Sequence, residues 1–165
     1  MARALGAAMV VVAAVLIGRV LSRPYRARVQ AVQEWVACLE RVRVELTFRK
    51  RPLTQAFAAA AQGIYVTAAA KRLGERLAAG DRLKAAVSAA VGEDWRLGQE
   101  ERALIEALIP PLSSAPAEWQ NDSLAAGGRE LSRILADIRA ECAKKCRMLE
   151  TLSTLAGLTA VLILL

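Results

Sequence analysis

The chain has 165 residues, enough for one domain of ordinary size; 55% of them are hydrophobic and 4% aromatic. It contains no histidine, which excludes histidine-based acid–base catalysis, histidine triads and histidine–metal sites within the chain. A formal net charge of +7 leaves nucleic acid, an anionic membrane face or an acidic protein as partner classes.

Alanine and leucine dominate and β-branched alternation is scarce, so the expected class is all-α. The first stretch, Ala4 to Leu21, is apolar except for Arg19 and runs for about 18 residues, the lower edge of a membrane span. A cleaved signal peptide is the rival reading, but it needs a shorter apolar core and a small-x-small cleavage site. Here the run meets Arg23, Arg26 and Arg28, a basic border that reads as a retained anchor with the next segment cytoplasmic. The expected division is a transmembrane helix over 1–21, a cytoplasmic helical bundle over 22–150 and a hydrophobic membrane segment over 151–165.

Val29, Val32, Val36, Leu39, Val42 and Leu46 recur at steps of three and four, one stripe of a helix over 26–48. Trp35 lies one position off that stripe and is expected to flank a neighbouring helix. Pro52 biases Arg51 away from helical angles and opens the next helix. Leu53, Ala56 and Phe57 resume the apolar stripe beyond the turn. Arg49, Lys50 and Arg51 are left at the tip. A helix from Leu21 to Leu46 rises about 38 Å, so the tip is expected far from a bilayer and suited to an acidic protein partner.

Helices are expected over 53–62, 64–79, 82–91 with Asp81 as cap, and 99–109, with Gly63, Gly80, Gly92 and Pro110-Pro111 as stops. Leu104, Ile105 and Leu108 form the expected buried side of the last of these. A final helix starts near 113–117 and continues almost to the C-terminus, with Gly127-Gly128 as its expected kink. Leu131, Ile134, Leu135, Ile138 and Cys142 make its apolar face, opposite the Leu39 stripe. Lys144, Lys145 and Arg147 form a basic collar before the apolar run 152–165, which is short for a full span.

Three cysteines, Cys38, Cys142 and Cys146, do not describe a disulfide framework. Without histidine, a zinc site would need a carboxylate or a second chain, so no metal or cofactor is expected. No phosphate-binding glycine loop or activated nucleophile is visible, and Glu93-Asp94 and Glu100-Glu101 read as solvated helix starts. The chain is therefore expected to be no enzyme. A membrane-tethered nucleic-acid binder is the alternative suggested by the charge. Its cations, however, are interleaved with acids and lack an aromatic platform, so no nucleic acid is expected.

Taken together, several stretches resemble the stage III sporulation protein AB (SpoIIIAB) family. They are Gly6 through Leu16-Ile-Gly18, Leu21-Ser-Arg23, Arg28, Leu39, Glu45-x-x-Phe48-x-x-x-Pro52-Leu53-x-x-Ala56-Phe57, Leu155-Ala-Gly157 and Val161 to Leu165. The middle departs from the family pattern at Val87 and over 111–116. The resemblance implies a compact bundle of about six helices, like the cytoplasmic domain of GspF, the platform protein of type II secretion. It also implies a membrane-anchored structural part of the channel apparatus between mother cell and forespore. The implied partners are the membrane, a cytoplasmic secretion-type ATPase (SpoIIIAA-like), other channel-complex proteins and, as an open alternative, further copies of the chain.

Overall fold

The computed structural model describes residues 2–164, with side chains described for residue 6 and residues 9–162. Six α-helices follow one another: α1 (Ala2–Thr47), α2 (Leu53–Ala60), α3 (Ile64–Ala78), α4 (Leu83–Gly92), α5 (Gln99–Leu108) and α6 (Ala117–Leu164), with a 3-10 turn over Pro110–Ser113. The class is all-α, and no strand occurs among the described residues. The stops at Gly63, Gly80 and Pro110 act as expected. Gly63 and Gly80 have φ of 124° and 92°, the left-handed region that favours glycine.

The two outer helices run through residues that commonly break helices. α1 continues through Pro24, at the loss of one backbone hydrogen bond. α6 continues through Gly127-Gly128 without a break. Gly127 serves packing instead: a Cβ there would stand 2.6 Å from Leu108 Cδ2 of α5. The residues divide into two units, 1–29 with 137–165 and 30–136. Each unit takes residues from both α1 and α6.

In the unit 30–136, α2 packs on α3, α3 on α4 and α4 on α5. α1 buries Ala31, Val32, Trp35, Cys38, Leu39 and Val42 there, and α6 buries Leu124, Leu131, Ile134 and Leu135. Trp35 is thus at the centre of the buried face, not beside it. Its ring meets Phe57 of α2 with centroids 6.0 Å apart and planes tilted by 56°, within the favourable range for an aromatic pair. The buried stripe is wider than a strict 3–4 reading, because α1 is enclosed from several sides and Ala31, Trp35 and Cys38 join Val32, Leu39 and Val42.

Three polar expectations change. α4 has Arg82 at its N-cap with no side-chain cap, and Asp81 pairs with Arg76 at 3.7 Å. Asp94 is buried: it accepts from the Arg96 backbone and guanidinium, both at 3.1 Å, while Arg102 donates to its carbonyl at 2.6 Å. Glu101 is buried as well, in the first turn of α5, where the helix dipole favours a carboxylate. Leu104 and Leu108 are only half-buried; Ile105 and Ile109 take the core positions. The start of α3 has no local cap. Glu34 of α1 supplies one from a distance, accepting from the Tyr65 and Val66 amides at 2.8 and 3.3 Å. Gly63 makes room for it, since a Cβ there would fall 2.5 Å from the Glu34 carboxyl.

In the unit 1–29 with 137–165, the two helices meet through small residues. A Cβ on Gly157 would stand 2.7 Å from the Ala14 Cβ, and one on Gly18 would stand 2.3 Å from Ser153 Oγ. Ala14, Gly18 and Ser22 follow at intervals of four, the small-xxx-small pattern that lets helix backbones approach closely. Ser22 is buried and donates to the Gly18 carbonyl at 2.8 Å. Arg26 pairs with Glu150 at 2.8 Å, and Lys145 pairs with Glu141 at 2.6 Å while lying over the Tyr25 ring. Met9, Val12, Leu16, Leu152, Leu155 and Leu162 are exposed. Among the described residues no helix is long and apolar enough to cross a membrane. The expected spans over 1–21 and 151–165 include positions, such as Ala4, Leu5, Ile163 and Leu165, whose side chains lie outside the described residues.

The chain contains two phenylalanines, and they occupy opposite environments: Phe57 is 2% exposed and Phe48 is 79% exposed. Phe57→Ala is expected to cost about 3–5 kcal/mol in urea unfolding followed by tryptophan fluorescence, whereas Phe48→Ala stays within about 0.5 kcal/mol.

Burial pushes the Cys38 thiol up to about 12 from its ordinary 9.0, against a smaller opposing pull from Arg41. The folded state therefore holds this proton after the unfolded chain has released it. Its contribution to stability is complete below pH 9 and declines between pH 9 and about 12, at up to about 1.4 kcal/mol per pH unit. Urea midpoints above pH 9 are expected to fall more steeply for the wild type than for Cys38→Ala.

Candidate interaction surface

The segment from Glu45 to Phe57 forms one continuous reversal in the unit 30–136. α1 ends at Thr47, and the Phe48 amide still donates to the Val44 carbonyl at 3.0 Å. Lys50 then takes φ of 50°, the left-handed conformation, and the Arg51 amide returns to the Glu45 carbonyl at 3.4 Å. Pro52 stands at the N-cap of α2 with extended backbone, and its carbonyl accepts the first bond of that helix, from Ala56, at 2.9 Å. Ala56 and Phe57 are buried, which fixes where the reversal ends, and Leu53 is half-buried.

The three cations at the tip are not equivalent. Arg49 and Arg51 both pair with Glu45, at 2.9 and 3.2 Å. The Glu45 side chain is 12% exposed, so a largely enclosed carboxylate near a helix C-terminus receives charge from both sides of the turn. Lys50 makes no ion pair among the described residues and is exposed. Phe48 is exposed beside it. The reversal thus presents one aromatic ring and one ammonium group outward and folds its two guanidinium groups back onto Glu45. Exposed aromatic side chains belong to the residue class enriched at protein–protein contacts.

The structure brings Glu45, Phe48, Arg49, Lys50, Arg51, Pro52, Leu53, Ala56 and Phe57 together within this one turn. Sequence reasoning missed what lies beside them. Leu77 of α3, Leu83 of α4 and Leu112 of the 3-10 turn come to the same place. Only Gly80 and Pro110, the stops that return the chain to this end, hinted at that convergence.

These features define an all-helical protein with an outward-facing turn and an exposed apolar helix pair. The family model for stage III sporulation protein AB matches residues 3–165, and the chain belongs to that family. It is a stage III sporulation protein. No curated protein and no solved structure matches it.

Lys50 holds a conformation that costs a non-glycine residue about 1–2 kcal/mol. Lys50→Gly is expected to raise stability by about 0.5–1 kcal/mol in urea unfolding while removing the exposed cation. A loss of stability would show that the lysine side chain itself holds the turn.

Proposed function

We propose that the chain is a membrane-anchored structural component of the sporulation channel apparatus between mother cell and forespore, and a platform for a cytoplasmic secretion-type ATPase. The observation that carries this reading is the turn at 45–57, where Phe48 and Lys50 project while Glu45 and the buried Phe57 hold the backbone in place. A rigid turn loses little conformational entropy when a partner docks. Family membership supplies the setting, a stage III sporulation protein. The likeness to GspF-type platforms belongs to this proposal, as does placement of the residues around the turn in the cytoplasm.

Membrane anchoring is supported by the exposed side chains of the helix pair, with Met9 70% and Leu162 81% exposed. Exposed apolar side chains clustered on two helices are the kind of surface that meets a protein or a membrane. The small residues between the two helices are of the type that packs helices in lipid. The basic residues Arg23, Arg26, Arg28, Lys144 and Arg147 follow the positive-inside pattern at the borders of both apolar runs.

The protein reconstituted into liposomes is expected to stay with the vesicles in high salt and to co-sediment the secretion-type ATPase. Phe48→Ala is expected to reduce that co-sedimentation by about tenfold or more, the scale of a residue worth more than 1 kcal/mol. A chain that washes off the vesicles removes the membrane half of the proposal, and an ATPase that stays in solution removes the platform half. Reversing Arg49 and Arg51 is the poorer test, because it would crowd carboxylates around Glu45 and disturb the turn.

A further inference from the structure

A groove of about 670 Å³ opens beside the tip, wholly within the unit 30–136. Leu46 of α1, Leu53 of α2, Leu77 of α3 and Leu83 of α4 converge on it, each half-buried, and Leu112 lies buried at its side. Ordinary packing would enclose leucines contributed by four helices. Here they meet near the ends of the helices, beside the Pro52 reversal and the 3-10 turn that begins at Pro110. The volume lies within the range of binding clefts, about 300–1,000 Å³.

The charged residues that line the groove are cations. Lys50 and Arg51 line it, and no carboxylate does. The segments 45–54, 76–84 and 110–120 carry six cations (Arg49, Lys50, Arg51, Arg76, Arg82 and Lys84) and three carboxylates (Glu45, Asp81 and Glu118). Glu45 and Asp81 are already paired with arginines of the same segments. An apolar floor within a basic rim complements a segment with apolar residues on one face and acids on its flanks. The walls are helix ends and no sheet edge is present among the described residues, so strand addition is not the mode; a helix lying in the groove is.

We propose that this groove takes a short acidic amphipathic helix of a partner protein, with its apolar face on the four leucines and its flanking carboxylates toward Lys50 and Arg51. The inference rests on the reading of this unit as a docking platform and specifies the chemistry that docks. The exposed charges supply selectivity and steer the encounter; the leucines supply the contact area.

The test uses the full chain in detergent and a labelled helical peptide bearing leucines at i, i+4 and i+7 with glutamates on the flanks. Binding is read by fluorescence anisotropy. The acidic peptide is expected to bind about tenfold or more tightly than the same peptide with lysine in place of glutamate, the scale of a specific charge preference. Raising salt is expected to narrow that difference. Thr54 is exposed at the lip of the groove, so Thr54→Trp fills the opening without entering the core and is expected to abolish binding. Lys50→Gly, which keeps the turn, is expected to weaken it several-fold. Equal affinity for the lysine peptide, or binding that survives Thr54→Trp, overturns the inference. So does a dimer of this chain that Thr54→Trp dissociates in the absence of peptide binding, which would assign the groove to a second copy. Liposome co-sedimentation separates this inference from the platform reading. An ATPase that binds wild type and Thr54→Trp alike sinks the groove and leaves the platform. Peptide binding as described, with no ATPase bound to wild type, sinks the platform and leaves the groove.

Discussion

The contact between Trp35 and Phe57 is the constraint on which the rest of the helical unit depends. α2 is only 8 residues long, too short to persist alone in water. It exists because Phe57, with Ala56 and Ala60, gives it a buried face, and Trp35 is the large surface that Phe57 meets. Once α2 is held, the chain after Pro52 has a fixed direction, and α3 must begin near Glu34. That is where the Glu34 carboxylate takes up the first free amides of α3. Two residues one position apart on α1 thus set the path of the next two helices, one by packing and one by hydrogen bonding.

The reversal between α1 and α2 divides its labour among neighbouring residues. Phe57 and Ala56 hold the far end in the core, Glu45 holds the near end through Arg49 and Arg51, and Lys50 absorbs the backbone distortion between them. Phe48 is left with no structural duty that its burial reveals. A large aromatic ring kept in water within an otherwise well-anchored turn is a cost to the isolated molecule that a partner can recover.

Much of the fold was legible in the sequence because its punctuation is strong. Gly63, Gly80 and the Pro110-Pro111 pair end helices for reasons local to each residue, and the boundaries fall within a few residues of where those residues place them. What was not legible depends on distance. Trp35 looked peripheral because a single-stripe reading assumes one packing partner, whereas its burial comes from a side chain 22 positions later. Asp94 and Glu101 looked solvated because acidic pairs at helix starts usually are; here Arg96 pairs with the Asp94 carboxylate, and Glu101 is buried in the first turn of α5. Gly127 looked like a weak point because glycine is a poor helix former, but the helix runs through it, with Leu108 of α5 packed where its Cβ would be. The candidate surface was legible at Glu45 to Phe57, which is contiguous, and illegible at Leu77, Leu83 and Leu112, which reach it only through the turns between.

The meeting of Gly157 with Ala14 has a consequence for how this chain can vary. The helix separation there is set by a hydrogen on one side and a methyl group on the other. Neither position has much room to shrink in compensation, since glycine is already the floor and alanine is one step above it. A larger residue at 157 could be accommodated in place only if 14 became glycine at the same time. The two positions are therefore free to exchange the methyl between them but not to add a second one, and a single-step path through alanine at both crosses a state in which the helices must part.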